Sequence, residues 1–360
     1  MPGSNLAPWK VVGMFKIGDR EIGSGHAVYI VAEMSANHGQ NLDQAVKIIN
    51  AAKEAGADAV KLQTYTPDTL TIDCDKEWFS IGQGTLWEGQ TLYDLYGEAH
   101  TPWEWQPELK KVANDLGLDL FSTPFDDTAV EFLEGMGVPV YKVASFEIVD
   151  LPLIRRIAQT GKPMILSTGM ATLGEIDEAV SAARGAGATQ IALLKCTSAY
   201  PAPPEEMNLR TIPHLAQAFD TPVGLSDHTL GIAVPVAAVA LGACIVEKHF
   251  GLSRELRGPD SAFSLEPDEF RAMVEAIRGA EKAFGQVRYE ASKREAASRI
   301  FRRSLFVVQE VRSGEAFTTQ NVRSIRPGYG LHTRYLDKVL GRKAARDIDR
   351  GTPLAWDLVR

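Results

Sequence analysis

Residues 222–249 of the chain are PVGLSDHTLGIAVPVAAVALGACIVEKH. Pro222–Ser226 and Cys244–Lys248 are short apolar runs, a pattern typical of buried parallel strands, and Ile232–Leu241 between them has a helical pattern. The segment therefore predicts a strand–helix–strand unit of an α/β fold.

The two histidines of this segment follow the C-terminal ends of its predicted strands. His228 comes after the first strand and His249 after the second. Because α/β enzymes place their active sites at that edge of the sheet, we expect the two imidazoles to lie close together there, near Ser226 and Glu247. Neutral imidazoles are common ligands of divalent metals, so we interpret the pair as a candidate metal site.

The alternation of strand and helix recurs along the chain. Eight strands alternating with helices over about 250 residues predict a (β/α)8 TIM barrel, with a doubly wound open sheet as the alternative. The six other predicted strands are Val28–Ala32, Ala59–Leu62, Leu118–Ser122, Pro139–Val143, Met164–Ser167 and Ile191–Lys195.

Two segments depart from a minimal barrel. Thr64–Glu104, between the second strand and the next helix, contains seven aromatic residues and predicts a lid or binding loop. Its rings either stack on a sugar or form a small core of the insertion. The catalytic domain is predicted at 1–285, a polar linker at 286–299 and a small separate domain at 300–360. A module of about sixty residues is marginal alone, so we expect it to pack on the barrel or on a second subunit.

Composition and charge exclude several classes of protein. The formal charge of -8, without a basic run, argues against nucleic-acid-binding and membrane-binding proteins. No apolar stretch is long enough to cross a bilayer and Met1–Arg20 lacks the apolar segment of a signal peptide, so we expect a cytoplasmic protein. The three cysteines are scattered without zinc-site spacing, which predicts reduced packing residues.

Side-chain alternation along a strand selects candidate residues at the barrel rim, because residues two apart point the same way. The polar residues that it places at one rim are Glu33, Lys61, Gln63, Thr123, Lys142, Ser226, His228, Glu247 and His249. A barrel interior is normally apolar, so this set indicates an active site, although any single member has a structural ion pair as its alternative.

These residue types suit the binding of an anion. Lys61 and Lys142, with the hydroxyl groups of Thr123, Ser145 and Ser167, can form a cradle for a carboxylate and a phosphate. Glu33, on the neighbouring strand, is a candidate general base or ligand of a sugar hydroxyl.

Seven ordered motifs resemble those of the sialic acid synthase family. They are Ala32–His38, Lys61–Thr64, Tyr141–Glu147, Leu166–Met170, Lys195–Pro201, Gly224–His228 and Ile245–Phe250. The resemblance covers nearly the whole chain, because Phe301–Arg360 is similar to the antifreeze-like (SAF) domain that follows the barrel in that family.

This resemblance implies an enzyme that condenses phosphoenolpyruvate with an N-acetylated sugar to give a nonulosonic acid. His228 and His249 match the family's ligands for a divalent metal, Mn²⁺ or Mg²⁺. The matches to its phosphoenolpyruvate contacts are Lys61, Thr123, Lys142, Ser145, Ser167 and Ser226. The matches to its catalytic and sugar-binding positions are Glu33 and Glu247 for catalysis, and Gln63, Tyr200, Asp260 and Arg326 for the sugar. Arg326 matches an arginine that the SAF domain inserts into the partner's active site, which implies a homodimer.

Further motifs resemble the branch of the family that forms pseudaminate from 2,4-diacetamido-2,4,6-trideoxy-L-altrose. They are Gln63–Asp68, Thr91–Tyr96, Thr101–Trp105, Asp260–Ser264 and Arg326–His332. Ser198, where neuraminate-forming members carry Asn, fits this branch, whereas Gln106 stands where the branch often has His.

Other functions remain as alternatives to this interpretation. Within the family, they are synthases of N-acetylneuraminate or legionaminate that use another N-acetylated hexosamine. Outside it, they are another phosphoenolpyruvate-condensing or aldol-type barrel enzyme, and a carbohydrate-binding protein of surface assembly without turnover.

Overall fold

The computed structural model describes residues 15–82, 84, 86–256 and 258–360. The chain forms two compact units, one ending at Gly285 and the other spanning Gln286–Arg360. Each unit has its own cluster of buried apolar side chains. The signal-peptide prediction for Met1–Arg20 concerns residues that lie mostly outside this described range.

The first unit begins with an antiparallel hairpin of β1 (Phe15–Ile17) and β2 (Arg20–Ile22), and continues as a closed barrel of eight parallel strands. The barrel strands are β3 (Tyr29–Glu33), β4 (Ala59–Thr64), β5 (Asp119–Pro124), β6 (Tyr141–Val143), β7 (Met164–Ser167), β8 (Ile191–Lys195), β9 (Val223–Asp227) and β10 (Ile245–His249). Consecutive strands pair with each other and β10 pairs with β3, which confirms the TIM barrel and excludes the open sheet.

Helices connect the strands, and most of them bury apolar side chains against the barrel. They are α1 (Leu42–Glu54), α2 (Pro67–Leu70), α3 (Leu92–Ala99), α4 (Gln106–Asp115), α5 (Asp127–Met136), α6 (Leu151–Ala158), α7 (Leu173–Gly185), α8 (Thr211–Phe219), α9 (Ala233–Ala240) and α10 (Pro267–Phe284). Polar caps begin several of them: the Asn41 side chain accepts the backbone N–H of Gln44, and Thr172 with Glu175 forms a capping box at α7.

The register of the strands sets the level of each rim residue along the barrel axis. His249 pairs with Glu33, Glu33 with Lys61, and Glu247 with Ser226. Several strands extend beyond their predicted ends, since the backbone ladder continues after the apolar run stops. Gly224 of β9 is required by close packing, because a Cβ atom there would overlap the carbonyl oxygen of Ile245.

The second unit contains α11 (Lys293–Ala297), the antiparallel pair β11 (Ser304–Val307) and β12 (Val322–Ile325), and α12 (Leu336–Val339). Its apolar core includes residues of β11, β12 and α12. Across the described parts of both units, every helix is too short or too polar to cross a lipid bilayer.

Candidate active site

The polar rim residues converge on a cavity of about 670 Å³ at the C-terminal ends of the barrel strands. The predicted site residues that line it are Glu33, Lys61, Gln63, Lys142, Ser145, Ser167, Tyr200, Ser226, His228, Glu247, His249 and Asp260. Thr123 lies just behind the cavity wall, where its Oγ1 accepts a hydrogen bond from Lys61 Nζ at 3.2 Å. The structure therefore brings together every predicted site residue of the barrel.

Lys61 is the centre of a buried charge cluster. Its Nζ lies 2.8 Å from Oε2 of Glu33 and 3.6 Å from Oε1 of Glu247. All three side chains are more than nine-tenths buried. Gln63 donates to Glu33 Oε1 at 3.1 Å, and Ser226 donates to Glu247 Oε1 at 3.3 Å.

The two carboxyl groups of this cluster differ in acidity. Burial raises the pKa of Glu33 to about 7, and the nearby Glu247 charge adds to that shift against the opposing effect of Lys61. Burial also acts on Glu247, but Lys61 and Lys142 outweigh it and hold its pKa below the ordinary value. Glu247 is therefore an anion at neutral pH while Glu33 can gain or lose a proton, a separation typical of acid–base pairs.

A second lysine lies next to a group of serine hydroxyls. Lys142 Nζ donates to Ser167 Oγ at 2.6 Å and to the carbonyl of Val143 at 2.8 Å, and burial lowers the pKa of Lys142. Ser145 Oγ lies 2.9 Å from Ser198 Oγ. Ammonium and hydroxyl donors in this arrangement suit the oxygens of a carboxylate or phosphate.

Gly169 makes this serine pair possible. Its φ is +46°, and a Cβ atom there would lie 2.5 Å from Ser145 Cβ and 2.9 Å from Ser198 Oγ. A glycine is therefore needed both for the backbone conformation and for the close approach of the loop.

The ring centroids of the two candidate metal ligands, His228 and His249, lie 5.5 Å apart. Burial lowers the pKa of both imidazoles, and that of His249 falls well below its ordinary value. His228 Nδ1 lies 2.8 Å from the carbonyl oxygen of Thr197, so Nδ1 donates and Nε2 keeps its lone pair. His249 Nδ1 is buried and finds no hydrogen-bond partner among the described residues.

Two neutral imidazoles, one with an unpartnered nitrogen, fit a divalent cation. Within the described residues no group of three or more His, Cys, Asp and Glu side chains joins them. Water and substrate oxygens would therefore have to complete the coordination of such an ion.

The predicted sugar contacts of the barrel line the same cavity as the histidines. The ring of Tyr200 lies 4.4 Å from that of His228, and Asp260 Oδ2 accepts the backbone N–H of Ala36 at 3.3 Å. Gln63 also donates to Ser35 Oγ at 3.0 Å. Arg326 lies in the second compact unit, where it is exposed in a shallow groove beside Arg303 and Arg323.

The aromatic residues of the insertion divide between the two interpretations. Tyr65, Trp87 and Tyr96 line the cavity. Trp103 instead stacks on Phe132 and donates its indole N–H to the Tyr65 carbonyl, as expected of a small core. Trp103 therefore belongs to the small core of the insertion, whereas stacking of Tyr65, Trp87 or Tyr96 on a sugar stays a prediction.

Among the ionisable cavity residues that sequence reasoning missed are Glu147 and Cys196, since strand alternation does not extend into loops. Glu147 ends the Tyr141–Glu147 motif, and burial raises its pKa to about 7.

The structure also explains Gln106. Its side chain is fully buried at the start of α4, where it accepts a hydrogen bond from Thr64 at 2.8 Å and donates to the Thr101 carbonyl at 3.3 Å. It thus joins the end of β4 to the end of the insertion.

Known proteins are similar to this chain over most of its length. The model of the NeuB family matches residues 48–289, and the model of the SAF domain matches residues 302–360. The pseudaminic acid synthase of Helicobacter pylori is 46% identical over 329 residues, which cover 91% of this chain and 96% of that protein. The N,N'-diacetyllegionaminic acid synthase of Legionella pneumophila is 35% identical, covering 94% of this chain and 97% of that protein.

A solved structure is also similar to this chain over nearly its whole length. The crystal structure of the spore coat polysaccharide biosynthesis protein SpsE of Bacillus subtilis matches with a TM-score of 0.66 at 35% identity, covering 97% of this chain and 99% of that chain. The resemblance found in the sequence motifs is confirmed. The chain therefore belongs to the NeuB family of phosphoenolpyruvate-condensing nonulosonic acid synthases and carries a C-terminal SAF domain.

Proposed function

We propose that this enzyme condenses phosphoenolpyruvate with 2,4-diacetamido-2,4,6-trideoxy-L-altrose and water to give pseudaminate and phosphate. The observation that carries the proposal is the placement of two buried lysines, Lys61 and Lys142, on one cavity wall with the neutral histidine pair. Identity to a pseudaminic acid synthase, at 46%, exceeds identity to a legionaminic acid synthase, at 35%, and this difference supports the choice of sugar.

The lysines hold phosphoenolpyruvate in this proposal. Lys61 and Lys142 bind its carboxylate and phosphate together with the hydroxyls of Ser145, Ser167 and Ser226, while Thr123 orients Lys61. Because these groups are buried, their charges act on the substrate with little screening by water. Phosphoenolpyruvate is thereby fixed with its C3 atom towards the sugar.

His228 and His249 would hold a divalent cation, Mn²⁺ or Mg²⁺. When bound, such an ion supplies a Lewis acid for the aldehyde oxygen of the sugar. Tyr200, whose ring lies beside that of His228, orients the sugar together with Asp260 and Gln63 of the same cavity lining.

The bond changes follow from the positions of these groups. C3 of phosphoenolpyruvate forms a bond to the aldehyde carbon, whose oxygen becomes a hydroxyl group after gaining a proton. Water adds to C2 and gives a proton to Glu33, whose pKa of about 7 suits a general base at neutral pH. The bond between C2 and the phosphate oxygen then breaks, and the C2 hydroxyl gives its proton to the departing phosphate and becomes the keto group. The proton taken up by Glu33 goes to the oxygen of the former aldehyde, while the anion of Glu247 keeps Lys61 charged.

We propose a homodimer in which the SAF domain completes the partner's site, as the family resemblance implies, and the charges of the two units are complementary. Residues 286–360 contain 16 Lys and Arg against 8 Asp and Glu, a net charge of +8, whereas residues 1–285 contain 22 against 38, a net charge of -16. Opposite net charges favour association of the second unit with a barrel. We propose that Arg326 supplies a sugar contact there, and that the enzyme acts in the cytoplasm.

Product identification tests this function. Purified enzyme with Mn²⁺ and phosphoenolpyruvate is offered a panel of amino sugars, phosphate is measured, and the product is identified by mass spectrometry and NMR. We expect pseudaminate from the diacetamido-altrose and no solvent oxygen in phosphate when the water is labelled with ¹⁸O. Turnover only with a short aldose phosphate, or saccharide binding without turnover, would contradict the proposal.

A further inference from the structure

The cavity has two chemically different halves. The strand ends contribute the lysines, carboxyl groups and histidines, whereas the wall formed by the insertion is apolar. We call this wall the apolar chamber; its residues are Tyr65, Leu70, Ile81, Leu92, Leu95, Tyr96 and the adjoining Phe125. Phosphoenolpyruvate is small and ionic, so the apolar chamber faces another part of the substrates.

Aromatic packing gives the apolar chamber a fixed shape. The ring of Tyr65 lies edge-on to those of Tyr96 and Phe125, with centroid distances of 5.7 and 5.2 Å. Leu95 is buried, while Leu70 and Leu92 are half-buried and leave part of their surface to the cavity. A preformed apolar recess of this kind stabilises a methyl group that would otherwise contact water.

A polar acceptor without a donor lies beside the apolar chamber. Oε2 of Glu147 is buried and finds no hydrogen-bond partner among the described residues, although Glu147 lines the cavity. Glu147 and Tyr96, a ring of the chamber, line the same cavity. A buried acceptor left unpaired costs free energy, so a ligand that brings an N–H to this position binds more strongly than one that does not.

We propose that the apolar chamber and Glu147 together bind the acetamido group of the sugar that is remote from the reacting carbon. An acetamido group carries a methyl group for the chamber and an N–H that donates to Glu147. Glu147 follows β6, which lies opposite β10 in the ring of eight strands, so it is across the barrel from His249, the proposed metal ligand at the aldehyde end of the sugar. We therefore assign to it the acetamido group remote from the aldehyde carbon, at C4. This inference rests on the proposed function and names the feature by which the enzyme selects diacetamido sugars.

A pair of substrates tests the inference. The full-length enzyme is assayed with the diacetamido sugar and with its analogue carrying a hydroxyl group in place of the acetamido group at C4. For the wild type we expect kcat/KM to favour the diacetamido sugar by about tenfold or more. In Glu147→Met and Leu92→Asn we expect that ratio to fall by about tenfold, with the KM for phosphoenolpyruvate unchanged.

Ile72→Ser is the matched control, because Ile72 belongs to the same insertion but is 59% exposed and lies outside the cavity lining. It should leave the ratio unaltered. An equal loss for both sugars in Glu147→Met and Leu92→Asn, or no preference in the wild type, would overturn the inference. Absence of phosphate release with every amino sugar would instead reject the proposed function itself.

A binding measurement covers the case in which a variant does not fold. Saturation-transfer NMR on the wild-type enzyme with the diacetamido sugar, without phosphoenolpyruvate, reports which methyl group contacts protein protons. We expect the stronger signal from the acetyl methyl at C4. A stronger signal from the acetyl methyl at C2 would contradict the assignment.

Discussion

Two buried lysines on the barrel strands form ion pairs that differ in their surroundings: one faces the cavity and the other lies on the outer face of the barrel. Lys61 points into the barrel and meets Glu33 and Glu247, whereas Lys248 points out of the barrel and meets Asp227 at 2.5 Å. Asp227 and Lys248 each lie one position from a cavity residue, so strand alternation turns them to the other face. A buried ion pair between lysine and carboxylate therefore occurs on both faces of the same sheet.

The outer pair has its hydrogen bonds satisfied. Lys248 also donates to the carbonyl oxygen of Thr229, and Asp227 Oδ1 accepts the backbone N–H and the hydroxyl of Thr229 at 3.1 and 2.9 Å. In the inner cluster, Lys61 is shared between two carboxyl groups with different pKa shifts, and the cavity is open beside it. A closed set of contacts is typical of structural pairs, while an incomplete set is available to a substrate.

Lys61→Met should give the largest effect on catalysis. Removing the ammonium group takes away a preorganised positive charge next to phosphoenolpyruvate, so we expect kcat/KM to fall by about 10³-fold. The free energy of unfolding should change less than in a variant that removes Lys248, because Glu33 can take up a proton and cavity water can solvate Glu247. Phosphate-release kinetics and urea unfolding measure the two quantities, and near-normal kcat/KM would remove Lys61 from the site.

Lys248→Met should affect stability instead. It leaves Asp227 as an uncompensated buried charge, which is expected to cost about 3–5 kcal/mol of unfolding free energy. The protein that remains folded should keep kcat/KM within a few-fold of the wild type. The double variant Lys248→Met with Asp227→Leu should recover much of the loss, and a double variant as unstable as the single one would argue against the pair as the cause.

The same comparison can be made between His228, which lines the cavity, and His38, which lies outside its lining. His228→Ala should lower Mn²⁺-stimulated turnover by roughly 10²-fold, because one of the two proposed ligands is lost. His38→Gln is the control: burial lowers the pKa of His38 to about 4, and its ring bonds to Thr101 and to the backbone of Gln40 away from the cavity. Its metal response should remain normal. Equal metal dependence in His228→Ala and the wild type, measured after chelation and metal titration, would exclude the proposed site.

The smallest effects should come from the two hydroxyl groups bonded to these carboxylates. Ser226→Ala removes the donor to Glu247 and should reduce kcat/KM by about tenfold with little change in stability. Thr229→Val removes the donor to Asp227 and should lower the unfolding free energy by about 1 kcal/mol with kcat/KM unchanged. The reverse result for the two variants would break the division between a catalytic and a structural cluster.

The sequence predicted the barrel and most of its rim for one physical reason. Apolar runs mark parallel strands, and alternation of side chains then assigns residues such as Lys61 and Glu247 to the interior. Strand ends were less accurate, since backbone pairing continues into polar residues such as Glu33. Glu147 escaped prediction because its place depends on the path of a loop.

The sequence by itself therefore determined the fold, the family and the identity of the rim residues, because each of these follows from local periodicity or from motifs. Only the tertiary structure decided that Lys61 contacts two carboxyl groups in the cavity whereas Lys248 pairs with one on the outer face. It also decided that Gly169 allows two serines to approach each other and that Glu147 Oε2 lacks a donor. These features arise between segments distant in sequence. They depend on the register of the barrel and on burial, which set the distances and the desolvation that pattern alone does not contain.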